Sequence, residues 1–215
     1  MKLNFKYNKE KDVWCLINKG KSSNNSPNPT TIYQELISNV GGKPNEVNTS
    51  LFIDEYLNKN NLKPERLLED YKNSFNVISS SFESVAGKVF DTSLNKKITT
   101  YLTTNTRCPY DIKEGWFFVS MTKDNQNLTI MHELWHFYTW ERFGNDWLEK
   151  LGKEKYNNIK ESLSVLLNIE CKHLLPEGSK DNGYPQHQEL RSKIIKFWNN
   201  NKNIDELWDY LTVIS

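Results

Sequence analysis

Two of the four histidines stand four residues apart in Thr129-Ile130-Met131-His132-Glu133-Leu134-Trp135-His136-Phe137-Tyr138, with a glutamate directly after the first. On a helix, residues at that spacing differ by about 40° in azimuth and about 6 Å in rise, so both imidazoles share one face. Imidazoles so placed can converge on one tetrahedral zinc at about 2.0–2.1 Å. Glu133 is turned by about 100° from His132 and stands beside such an ion rather than on it. From there its carboxylate can take a proton from a zinc-activated water, the general-base role in hydrolysis. Ile130, Leu134 and Phe137 form one face of the segment, and Met131, Trp135 and Tyr138 cover its flank. A helix apolar nearly all round is a buried helix. The alternative is a pair of core histidines bonded to backbone carbonyls, with Glu133 reaching solvent. Two imidazoles and a carboxylate are costly to bury without partners, and a metal removes that difficulty.

Thr129 to Tyr138 resembles the extended signature of the zincin metallopeptidases. A Thr stands three before the first His, uncharged residues fill the gap, and a hydrophobic residue closes the string. The resemblance implies one catalytic Zn2+, peptide-bond hydrolysis with Glu133 as general base, and a third protein ligand that leaves one position open for water. It also implies that Gly115–Met121 is an edge strand able to pair with an extended peptide. After His136 the metzincin continuation of Gly and His is missing, which leaves a downstream carboxylate, as in gluzincins. Tyr156–Asn168 reads as a helix with Ile159, Leu163, Leu166 and Leu167 as its aliphatic stripe. Glu161 lies opposite that stripe among Ser164, Val165 and Asn168, residues small or neutral enough to let two helices approach closely. Glu161 is therefore the expected third ligand. Twenty-four residues separate it from His136, and the Asn-Glu-x-x-Ser-Asp string of thermolysin is not reproduced. The looser spacing is nearer to minigluzincins, or to bacterial regulatory zincins that cleave repressors. Glu170 falls inside the aliphatic stripe and reads as a snorkelling or capping residue, and His173 is the next competitor. Gluzincins stabilise the oxyanion with a Tyr or His. Tyr184 and His187, in a Gly/Pro turn before a helix, are the candidates for that role.

These residues need elements to hold them. Asn4–Tyr7 and Val13–Ile17 flank a charged turn and are expected to form a hairpin. Lys19–Thr30 reads as a loop. Short helices are expected over 31–40 and 50–59, and a longer one from Lys63 to about Val89. Ile98–Thr104 and Gly115–Met121 are β-branched and aromatic, as strands are. Helical patterns then cover about 128–142, 145–151, 154–173, 186–200 and 203–213. The expected fold is α+β and zincin-like: a small mixed sheet, an active-site helix and a mainly helical C-terminal half. Residues 1–60 would form an N-terminal arm, hairpin plus short helices, and 61–215 the catalytic domain.

Composition closes other routes. The chain has 215 residues, 28 basic and 27 acidic side chains, and net charge +1. No basic face is implied, so neither nucleic acid nor a membrane is an expected partner, and a peptide or protein substrate is. No apolar run is long enough to span a bilayer and the start lacks a signal-peptide core, which points to a cytoplasmic location. Three dispersed cysteines form no disulfide framework. Three functions follow, in order of preference: a zinc metallopeptidase, a regulatory zincin with one dedicated protein target, and a non-catalytic zinc-binding module.

Overall fold

Strand β1 (Lys2–Tyr7) leads into helix α1 (Lys9–Lys19) in the computed structural model, which describes residues 1–22 and 27–215. The hairpin expected over residues 1–20 is thus a strand followed by a helix. Five apolar residues in a row suit a buried strand and a helix equally, and the cap decides between them. The Asn8 side chain accepts the Lys11 backbone N–H at 2.8 Å, and Glu10 and Asp12 occupy the first turn, where acids complement the helix dipole. Asp12, Val13, Cys15 and Leu16 are then buried, while Trp14 is exposed. Of the expected loop Lys19–Thr30, residues 23–26 lie outside the described residues.

Helices α2 (Thr31–Val40), α3 (Glu46–Lys59) and α4 (Pro64–Phe90) follow. Helix α3 starts four residues earlier than expected, because Asn45 and Asn48 form a reciprocal capping box. Strands β2 (Lys97–Thr103), β3 (Tyr110–Asp111) and β4 (Trp116–Ser120) complete a mixed sheet of order β1-β2-β4-β3. β1 pairs parallel to β2 with Leu3 opposite Ile98, and β2 parallel to β4 with Tyr101 opposite Phe118. β3 is antiparallel to β4, with Tyr110 opposite Phe117. The edge strands are therefore β1 and β3, and Gly115–Met121 is not the edge expected of it. Gly115 makes this possible: at φ 72° it takes a left-handed turn, its N–H donating to the Asp111 carbonyl at 2.9 Å. Phe117, Phe118, Val119 and Ser120 are all buried, the pattern of a strand covered on both faces.

The chain divides into two compact units. Lys2–Ser74 and Lys96–Gln126 form the sheet unit. Within it Asp12 ties α1 to the end of β2. Its Oδ1 accepts the Thr103 hydroxyl at 2.6 Å, the Thr104 N–H at 2.9 Å and the Thr104 hydroxyl at 3.1 Å. Its Oδ2 is buried with no hydrogen-bond partner among the described residues.

Met1, Phe75–Asn95 and Asn127–Ser215 form the second unit. It contains most of α5 (Gln126–Phe143), then α6 (Asn145–Leu151), α7 (Lys153–Leu163), α8 (Leu167–Glu170), α9 (Gln188–Asn200) and α10 (Ile204–Ile214). The single helix expected over 154–173 is interrupted by a 3-10 turn at Ser164–Leu166. Phe82 and Phe90 pack on Trp135 and Tyr138, with the Phe90 and Trp135 rings 4.9 Å apart. Phe143 stacks on Trp208 at 4.2 Å. Each such ring, fully buried, stabilises the core by about 1.5–3 kcal/mol. The coarse expectation holds: the fold is α+β, a small mixed sheet with a helical C-terminal half. No helix among the described residues is long and apolar enough to cross a membrane.

Candidate metal centre

Helix α5 presents His132, Glu133 and His136 from a segment whose apolar neighbours Ile130, Met131, Leu134, Trp135 and Phe137 are fully buried. Trp135 fixes α5 against the end of α7, its indole N–H donating to the Leu163 carbonyl at 3.1 Å. Buried Ser162 and Ser164 fold their hydroxyls back onto the carbonyls of Asn158 and Glu161, keeping that surface small. The two helices come close enough for Glu161 to meet both imidazoles. Its Oε2 lies 3.3 Å from His136 Nε2 and 3.7 Å from His132 Nε2.

His132, His136 and Glu161 each offer a ligand atom, all within 4.8 Å of one another. Ligands about 2.0–2.1 Å from a tetrahedral ion stand about 3.3–3.4 Å apart. The two Glu161 distances, 3.3 and 3.7 Å, lie near that value, so Glu161 stands where it could share a zinc-sized ion with either imidazole. Glu133 is buried and is not part of the cluster, as its place on the helix requires. Glu170 and His173 are not part of it either. Glu170 instead accepts the Trp198 indole N–H at 2.8 Å and Lys202 Nζ at 2.7 Å, a structural role that its position in the stripe foreshadowed.

Asp181 enters from a loop that the sequence reading did not single out. Its Oδ2 is 2.5 Å from His132 Nδ1. Burial favours the neutral acid, but the His132 contact and the nearby Arg191 overcome this and hold the Asp181 carboxyl at about 2. An ionised carboxylate only accepts, so Nδ1 carries the hydrogen and Nε2 points toward Glu161. An outer carboxylate that fixes a ligating histidine in this way is a recurrent feature of metal sites.

The loop is itself held. Asn168 and the Asp181 backbone exchange hydrogen bonds at 2.8 and 2.7 Å. The Gly183 N–H donates to Asp181 Oδ1 at 2.8 Å, and buried Arg191 donates to the Asp181 carbonyl at 2.6 Å and to the Ser164 hydroxyl at 2.8 Å. Gly183 has φ 61°, and a Cβ there would fall 2.7 Å from the Arg191 guanidinium. Only glycine fits.

Charge is balanced inside the cluster. Burial opposes ionising Glu161, yet His136, Lys160 and His132 hold its carboxyl well below the usual range. Burial likewise opposes charging His132, but Asp181, Glu161 and Glu133 raise it well above an ordinary imidazole. Lys160 is buried, with its Nζ 2.9 Å from Glu161 Oε1.

Of the two oxyanion candidates, Tyr184 is 42% exposed, its ring edge-on to His187 at 5.6 Å. His187 is buried, 3.2 Å from Asn158 Oδ1 through Nε2. Burial lowers its proton affinity, with Glu161 opposing and Arg191 and Lys160 reinforcing the effect.

Among the signals available in the sequence, Asp181-Asn182-Gly183 marks a turn and Arg191 is one of four arginines. Neither says that the turn folds back on His132. Compared with known proteins, the chain matches no family model, no curated protein and no solved structure.

Proposed function

We propose that the chain is a zinc-dependent peptidase of the zincin type, gluzincin-like in its ligand set. The observation that carries the reading is the convergence of His132 Nε2, His136 Nε2 and Glu161 Oε2 beside a helix-borne Glu133. His132, His136 and Glu161 would hold the ion. Zinc in such a site supplies a polarised water whose pKa falls to about 7. Asp181 keeps the His132 ring oriented, with its proton on Nδ1. Glu133, next to His132 but outside the ligand set, takes the proton of the attacking water and passes it to the leaving amine. Tyr184 and His187 are the two candidate donors to the developing oxyanion. The substrate class is a peptide or protein.

The test is Glu133→Gln, which keeps size and zinc content but removes the base. On a peptide that wild type cleaves, found by screening a proteome-derived library, turnover should fall by about 10²–10⁴. Cleavage at the wild-type rate would exclude the mechanism. A wild type that holds zinc yet cleaves nothing in the library would reassign the site to a zinc-binding module or to an enzyme with one dedicated protein target.

A further inference from the structure

Lys160 immediately precedes the third ligand and is itself buried, an unusual place for a lysine unless it is paired. Its ammonium bonds Oε1 of Glu161 at 2.9 Å, while Oε2 of the same carboxylate faces the two imidazoles. A carboxylate can bind a cation through one oxygen or through both. Here Oε1 bonds the Lys160 ammonium, and Oε2 is the oxygen that meets the two imidazoles.

We propose that Lys160 is a positioning residue that makes Glu161 a one-oxygen ligand and holds its charge in place before an ion arrives. The proposal rests on the metal reading of the site. It has two consequences. First, the cluster found among the described residues offers three ligand atoms, a low coordination number that suits zinc or cobalt and not the six to eight oxygens sought by calcium. Second, the Lys160 ammonium would pair with the Glu161 carboxylate with or without an ion, so stripping metal should not by itself undo the site. Lys160 therefore matters more to the empty site than to the filled one, where the ion supplies positive charge of its own.

The experiment uses the full chain with Lys160→Met, which keeps length and burial but removes the ammonium, and Lys160→Gln, whose amide can still donate one neutral hydrogen bond to Oε1. Melting temperature is measured after chelator stripping and again with one equivalent of zinc, and the visible spectrum is recorded with Co2+ in place of zinc. In Lys160→Met the stripped form should melt roughly 5–10 °C lower than stripped wild type, the zinc-loaded form should fall by less than half of that, and Lys160→Gln should lie between. The Co2+ bands of Lys160→Met should weaken several-fold, because the second carboxylate oxygen joins the ion and raises its coordination number. Equal falls in both forms, or an unchanged Co2+ spectrum, would overturn the proposal and leave Lys160 a structural residue of α7. Zinc binding absent from wild type itself would instead overturn the metal reading, and the role of Lys160 with it.

Discussion

Two buried acids, Asp12 in the sheet unit and Asp181 in the second unit, answer burial in opposite ways. Asp12 accepts three hydrogen bonds from threonine hydroxyl and amide groups, all neutral and all at Oδ1. These bonds do not outweigh desolvation, and its carboxyl is pushed up to about 6. Asp181 is nearly as buried, yet it faces His132 and Arg191, both able to carry positive charge, and it is held at about 2. Neutral donors make a clip that fastens a helix to a strand. Cationic donors keep a carboxylate ionised, and an ionised carboxylate can orient a ligating histidine. Burial alone therefore does not mark a chemical site; the charge of the partners does.

The comparison breaks most visibly at Asp181. Asp181→Asn keeps the side chain's size but removes the charge that fixes the hydrogen on His132 Nδ1. Zinc affinity, measured by chelator competition, should drop by about 10–100-fold. Unchanged affinity would make the Asp181 contact incidental to the site.

The two acids should also give stability slopes of opposite sign. Asp181 has a lowered folded-state pKa, so its contribution is present above its unfolded value near 4 and is lost as pH falls toward 2. Asp12 has a raised one, so its contribution is present below about 4 and is lost as pH rises through about 6. A shift of that size corresponds to about 2–3 kcal/mol in each case. Urea unfolding of the stripped protein from pH 3 to 7 should show Asp12→Asn removing the destabilisation between pH 4 and 6. A slope unchanged there would mean that Asp12 is ionised in the folded state.

Gly183→Ala sharpens the same contrast at smaller magnitude. It places a Cβ against the Arg191 guanidinium at a left-handed φ, and should cost about 1–3 kcal/mol of stability. Gly41 supplies a control: its φ is also left-handed, at 62°, but its Cβ would meet nothing within 4 Å. Gly41→Ala should cost less than Gly183→Ala. Equal costs would show that backbone strain alone, rather than the Arg191 contact, sets the effect.

What the sequence made legible follows from how local the signal is. His132, Glu133 and His136 are legible because helical spacing alone puts them together, and Glu161 because its own helix has an aliphatic stripe that it avoids. The helices over 31–40, 145–151 and 188–200 match their patterns closely, and β2 and β4 appear where β-branched and aromatic residues cluster. Residues 13–17 misled because an apolar run has no period, and the deciding Asn8 cap lies outside the run. Edge and interior positions in the sheet could not be told apart, since the two-residue β3 carries no strand pattern of its own. Asp181, Arg191 and the burial of Lys160 depend on a loop closing back on α5. No spacing rule reaches across that closure.

The central claim is that α5 and α7 together hold one zinc through His132, His136 and Glu161. Metal analysis of the purified full chain after equilibration with zinc and gel filtration, run in parallel on Glu161→Ala and His136→Ala, tests it most directly. Wild type should retain about one zinc per chain, and each variant should bind at least about 100-fold more weakly, beyond the usual effect of an outer partner. A wild type that retains no zinc, or variants that retain it as tightly as wild type, would contradict the account.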